Sequence, residues 1–245
     1  MAKNTLTENF AEPINGESTF KIDIHAGDGN LKIDRLSGDE QVLVSGSLQY
    51  FERQGLPIRT LLSSSGQATL TLKGSAAGQP WFRLPWSTCN GATEWQIHLN
   101  PKVSSDITAH SDGGNIKLDL LTMDVTSVSA DTGGGNLEVD LPDNAADLSV
   151  DARTGAGNVT VTIGSGITGS SFVNASSGAG NVVVRIPSGV AALIHAATGL
   201  GKVIVDPQFT RVDDNSYQST KYDSALDKIE IVLKSGAGNV IVKIV

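Results

Sequence analysis

One short motif constrains this chain more than any other feature: a Gly-x-Gly-Asn turn followed by alternating apolar residues. It occurs as Gly27-Asp28-Gly29-Asn30, Asp112-Gly113-Gly114-Asn115, Gly133-Gly134-Gly135-Asn136, Gly155-Ala156-Gly157-Asn158, Gly178-Ala179-Gly180-Asn181, Gly199-Leu200-Gly201-Lys202 and Gly236-Ala237-Gly238-Asn239. From Asn115 it returns at Asn136, Asn158, Asn181 and Lys202 with a nearly constant step. A period of about 22 residues marks a solenoid, whose units bury their apolar faces only by stacking on neighbours.

Alignment on the motif identifies the inward side chains. The residue after the Asn or Lys is Leu31, Ile116, Leu137, Val159, Val182, Val203 or Val240, and two further on stand Ile33, Leu118, Val139, Val161, Val184, Val205 and Val242. Before the turn, Ile22, Ile107, Val128, Val150, Val173, Ile194 and Ile231 share one phase, and alanine recurs at Ala109, Ala130, Ala152, Ala175 and Ala196. The period is 2 on both sides of the turn, so each coil is two strands with one inward face each. The expected fold is all-β: a single-stranded parallel β-solenoid with coils of about 22 residues. Right-handed winding is the default under the crossover rule. The turn residues Gly29, Asn30, Gly114, Asn115, Gly135, Asn136, Gly157, Asn158, Gly180, Asn181, Gly201, Gly238 and Asn239 are structural, the glycines for positive φ or close backbone approach. The asparagines can stack in a ladder.

Two stretches break the repeat. The long span between Asn30 and Asn115 lacks the motif but contains strand patterns at Gln41–Leu48, Gln67–Lys73 and Glu94–Leu99. The second break, Pro207–Ala225, reads as a loop over an end or a side. The resulting division is a flexible N-terminus over 1–14, an N-terminal β region over 15–100 with a Trp-rich loop at 78–95, and solenoid repeats over 101–245 with a loop insertion at 207–225.

The repeats Ser/Thr-Gly-Ala-Gly-Asn-Val, ending in Tyr217, Tyr222, Ala225, Lys228-Ile229-Glu230-Ile231 and Gly236-Ala237-Gly238-Asn239-Val240, resemble the bacterial adhesin-like toast-rack family. That family is related to envelope-stress and cell-wall-active-antibiotic-response proteins. The resemblance implies a β-solenoid outside the cytoplasmic membrane, with no catalytic residues to carry over. The opening Met1-Ala2-Lys3-Asn4-Thr5 has no signal-peptide pattern, so a cytoplasmic location is the alternative.

The function classes narrow accordingly. A net charge of −8 argues against nucleic acid, and no apolar run is long enough for a transmembrane helix. The glycine motif lacks the spacing and following helix of a phosphate loop, and no cofactor is implied. No metal site is expected: the histidines, His25, His98, His110 and His195, lack zinc spacing, and His25 and His110 share a phase but lie far apart in the chain. Catalytic residues are not expected either. Asp119 and Asp140 stack in phase and would suit a polysaccharide-binding or polysaccharide-cleaving β-helix, but Lys117 and Glu138 stack beside them, as on a solvated face.

The expected function is therefore a non-enzymatic, envelope-associated adhesin-like or scaffold domain whose partner is a protein or a cell-surface polymer. Its binding surface is expected in the tract holding all three tryptophans, at Trp81, Phe82, Arg83 and Trp86, with Trp95 buried in a strand. The outward positions Val183, Ile204 and Ile241, with Phe172 and Leu193, form an apolar outer face on the C-terminal coils. Either the Pro207–Ala225 loop covers that face, or a second copy does, making a homo-oligomer.

Overall fold

The computed structural model describes residues 4–38, 41–75 and 93–245. In chain order its strands are β1 (Thr5–Pro13), β2 (Thr19–His25), β3 (Asn30–Arg35), β4 (Val42–Phe51), β5 (Ile58–Ser64), β6 (Gln67–Lys73) and β7 (Glu94–Leu99). The repeats follow as β8 (Ser104–Ser111), β9 (Ile116–Asp119), β10 (Val125–Thr132), β11 (Leu137–Asp140), β12 (Ser149–Thr154) and β13 (Val159–Thr162). Then come β14 (Ser170–Ala179), β15 (Val182–Ile186), β16 (Ala192–Leu200), β17 (Val203–Val205), β18 (Thr210–Arg211), β19 (Ser216–Gln218), β20 (Lys228–Ala237) and β21 (Val240–Ile244).

The strands form two large, mostly parallel sheets. One runs β1-β4-β7-β3-β9-β11-β13-β15-β21-β17, the other β18-β19-β16-β20-β14-β12-β10-β8-β2-β6-β5. Each coil contributes the strand before its glycine turn to the second sheet and the strand after it to the first. Alternation then aims every second side chain into the space between the sheets. Ile107, Ala109, Ile116 and Leu118 are buried there, as are Val150, Ala152, Val159 and Val161 of a later coil, in one continuous core.

The order of coils in space departs from their order in the chain. The motif at Gly236 closes the sequence, and sequence order would put its coil last. Instead β20–β21 lies between β14–β15 and β16–β17, pairing in parallel with both. A similar displacement occurs at the other end, where β2–β3 lies between β6–β7 and β8–β9. The alanine row records the insertion. Ala109, Ala130, Ala152 and Ala175 are register neighbours, then Leu233 stands between Ala175 and Ala196.

Antiparallel strands cover the ends. β1 and β4 extend the first sheet beyond β7, and β5 extends the second beyond β6. Residues 1–14, expected to be flexible, thus include a strand paired with β4 from Thr5 to Pro13, with Phe10 buried. At the far end β19 and β18 extend the second sheet beyond β16, and Phe209 packs on the core. The long break in the motif is explained by these additions. It holds β4, β5 and a coil, β6–β7, between whose strands the sequence lacks the glycine motif and carries Trp81 and Trp86.

Candidate functional site

The repeated corner is the most elaborate polar structure in the molecule, and its hydrogen bonds are spent internally. The Asn30 Oδ1 accepts the Asn115 backbone N–H at 2.9 Å, and the Asn115 Oδ1 accepts that of Asn136 at 2.8 Å. The ladder continues to Asn158, Asn181 and Asn239, each at 2.9 Å, and ends with the Lys202 N–H on the Asn239 Oδ1 at 3.0 Å. Lys202 occupies the last rung, where no further amide needs an acceptor, which accounts for the one departure from asparagine. The sequence separations along the ladder are 85, 21, 22, 23, 58 and 37, so it tracks spatial rather than chain order.

A second ladder, of hydroxyls, runs inside the corner. Thr132 Oγ1 donates to the Gly114 carbonyl at 2.7 Å and accepts the Gly135 N–H at 3.2 Å. Thr154, Ser177, Ser235 and Thr198 donate likewise to the carbonyls of Gly135, Gly157, Gly180 and Gly238. Sequence reasoning missed this row, although the Ser or Thr three residues before the second motif glycine was its signal. At Gly114, Gly135, Gly157 and Gly180 proximity requires glycine: a Cβ there would collide with the carbonyl of the preceding coil's glycine.

On the outer face of the first sheet, Asp119 and Asp140 are direct register partners, as the spacing predicts. Their surroundings are basic as well as acidic. Lys117 Nζ lies 3.0 Å from Glu138, which with the nearby Asp140 and Asp119 carboxylates raises the lysine pKa despite some burial. Lys32 Nζ lies 2.8 Å from Asp34, whose carboxylate also meets His98 Nδ1. Burial pushes the Asp34 pKa up, but the hydrogen bonds from Lys32 and His98 and their charges outweigh it, holding the group below its ordinary value.

The threading brings together His25 and His110, whose separation in sequence gave no reason to expect contact. They are register partners on β2 and β8 with ring centroids 5.3 Å apart. His110 Nδ1 meets the Asp131 carboxylate, its Nε2 lies 3.2 Å from Asp112, and His25 Nε2 lies 3.3 Å from Asp23. Among the described residues no group of three or more His, Cys, Asp or Glu is arranged to hold a metal ion. Both histidines border an open cavity of about 380 Å³ at the N-terminal end of the stack, with Tyr50, Asp112 and the residues Ser75 and Thr93.

Trp81, Phe82, Arg83 and Trp86 lie outside the described residues. Trp95 is 2 % exposed, and its indole Nε1 donates to the Gln49 carbonyl at 3.0 Å, so it is a core residue of β7. At the C-terminal end, Val183, Ile241 and Ile204 are register neighbours on the outer face of the first sheet. The loop expected to cover them pairs instead with the second sheet through β18 and β19, and Ile204 is 49 % exposed. Phe172 and Leu193 do not join into an apolar face, because Glu230 of the inserted coil stands between them.

The family described as the N-terminal domain of toast_rack, DUF2154, matches residues 2–162. A putative cell adhesion protein from Clostridium sporogenes, known from a crystal structure, is similar over 99% of this chain and 100% of its own, with 22% identity and a TM-score of 0.69. A putative adhesin from Bacteroides fragilis aligns over 98% of both chains with 9% identity and a TM-score of 0.32. Among curated proteins none matches the sequence.

Proposed function

Because the chain belongs to the toast-rack family, we propose that it is a non-enzymatic interaction domain of the bacterial cell envelope, adhesin-like or scaffolding, built on a right-handed solenoid. Right-handed winding is the hand that parallel crossovers favour. The contact surface is the N-terminal end of the stack, with Trp81, Phe82, Arg83 and Trp86 as its aromatic and cationic anchors.

The observation that carries this reading is the cavity at the N-terminal end of the stack, bordered by Ser75 and Thr93, between which the sequence carries Trp81, Phe82, Arg83 and Trp86. Every motif corner is a tight turn whose backbone is consumed by the asparagine and hydroxyl ladders. In the β6–β7 coil the motif is missing from the sequence, and Ser75 and Thr93 line the cavity beside Tyr50, His25 and His110. Tryptophans and an arginine carried next to a cavity edged by histidines and Asp112 would suit binding of a sugar polymer or a protein surface. The C-terminal row Val183, Ile241 and Ile204 is a second contact surface, suited to another copy of the chain.

The test is co-sedimentation with isolated bacterial cell envelopes. The wild type is expected to pellet with them. The double variant Trp81→Ala/Trp86→Ala should stay in the supernatant while keeping its melting temperature. Wild-type and double variant pelleting equally would overturn the assignment of the surface. The stacked Asp119 and Asp140 give the competing reading, a polysaccharide-cleaving enzyme. Their interleaving with Lys117 and Glu138 favours a solvated charge ladder. A polysaccharide panel cleaved by the wild type but not by Asp119→Asn/Asp140→Asn would replace the interaction reading with the enzymatic one.

A further inference from the structure

The inserted C-terminal coil occupies a slot between two coils that are neighbours in the chain. Lys202 follows Asn181 by the same step that carries Asn115 to Asn136, and Ile194 and Ala196 keep the inward phase of Val173 and Ala175. Nothing in the repeat itself separates β14–β15 from β16–β17. Yet β20 pairs with β14 from Ser170 to Ala179 on one side and with β16 from Ala192 to Leu200 on the other. The slot is lined by strand edges, by the Asn181 Oδ1 that receives the Asn239 N–H, and by Ala175 and Ala196, between which Leu233 fits.

The link to this coil is long and exposed. After β19 the chain runs through Ser219–Asp227 before entering β20. Residues Tyr222, Ser224 and Ala225 direct their backbone N–H groups to carbonyls of Ser219, Lys221 and Tyr222, within the same segment. Leu226 is 90 % exposed. Fully extended, a link of this length spans about 30 Å, whereas crossing one coil takes only about 4.8 Å. The link therefore reaches well past the molecule's own slot.

We propose that the slot accepts the β20–β21 coil of a second copy of this chain, giving a reciprocally exchanged dimer. The contacts made by the coil are the same whether it comes from its own chain or another, so the slot itself does not discriminate between them. What differs is the chain entropy of the link and the cost of association, and the second falls as concentration rises. When the coil leaves, β14–β15 stays on β12–β13 and β16 keeps β19, while β17 is without its partner β21 until a coil enters the slot again.

Phe172 and Glu230 test the exchange directly. They are register partners on β14 and β20 and both face solvent, so changing them leaves the core untouched. Parallel partners at this spacing fall within the range that a disulfide spans. Two chains, each carrying Cys89→Ser, are prepared, one with Phe172→Cys and the other with Glu230→Cys. They are unfolded together, refolded over a series of protein concentrations and oxidised. A disulfide between position 172 of one chain and 230 of the other forms only if β20 of one molecule lies against β14 of its partner. The expected result is that this mixed linkage, identified by mass spectrometry of the joined peptides, rises with concentration and accompanies a species of twice the monomer mass. Absence of the mixed linkage at every concentration, or only symmetric linkages between like positions, would overturn the proposal.

Discussion

The hydroxyl ladder inside the corner can be interrogated with a single isosteric change, Thr132→Val. Thr132 is fully buried; its Oγ1 accepts the Gly135 N–H and donates to the Gly114 carbonyl. Valine fills the same volume and keeps the β-branched shape, so no cavity forms. What remains is two buried backbone groups without a partner. Each costs about 1–3 kcal/mol, giving roughly 2–6 kcal/mol in total. For a chain of this size about 2–4 °C of melting temperature is lost per kcal/mol, so the midpoint should fall by roughly 4–24 °C. Circular dichroism at the β minimum during heating measures it. Two controls localise the cause. Thr132→Ser keeps the hydroxyl and should lose only about 1 kcal/mol for the missing methyl. Thr198→Val removes the last hydroxyl of the row, where partial exposure lets water replace the bond to the Gly238 carbonyl, and should cost about 1 kcal/mol or less. A Thr132→Val protein as stable as the wild type, or equal losses at positions 132 and 198, would refute the ladder as a source of stability.

Further outcomes follow from the same packing. Ala152→Leu places extra volume in a fully buried row between Ala130 and Ala175 and should cost about 1–3 kcal/mol by overpacking, measured as a lower denaturant midpoint at unchanged slope. Trp95→Ala empties a core position and should cost about 3–5 kcal/mol, whereas Trp81→Ala and Trp86→Ala should leave the melting curve close to wild type; equal large losses at all three would make the tract a structural cap. Asp34, held below its ordinary pKa by Lys32 and His98 against the effect of burial, contributes stability above its unfolded value near about 4. That contribution is lost as pH falls through the folded value. Lys32→Met should therefore flatten the acid limb of the stability curve, and an unchanged slope between about pH 5 and about pH 2 would contradict the assignment.

The parts of the fold that depend on local pattern could be read from the sequence. The inward phase, the five alanines, the glycine corners and the asparagine ladder all follow from period 2 around a recurring turn. The spatial order of the coils could not be read, because the coils share one inward phase and those ending in Asn offer the same acceptor, so many stacking orders satisfy the local rules. Only two residues carry a trace of the true order. Leu233 breaks the alanine row at the inserted coil, and Lys202 abandons the ladder where nothing follows. The pairing of His25 with His110 was hidden for the same reason, since it depends on β2 lying beside β8. The covering of the second sheet rather than the first by the C-terminal loop was equally illegible, because β18 and β19 are too short to show a period.

The asparagine ladder also has a direction, and this bears on how such a chain can change its length. Each side-chain carbonyl serves the amide one step farther along, beginning at Asn30 and stopping at a lysine that has no oxygen to offer. A coil copied and appended beyond Lys202 would meet a rung without an acceptor, and one placed outside β6–β7 would face antiparallel strands instead of a corner. A coil duplicated between Asn115 and Asn181 would find an acceptor behind it and supply one ahead. Genetic lengthening or shortening of this architecture is thus confined to its middle, while the ends stay fixed and free to specialise.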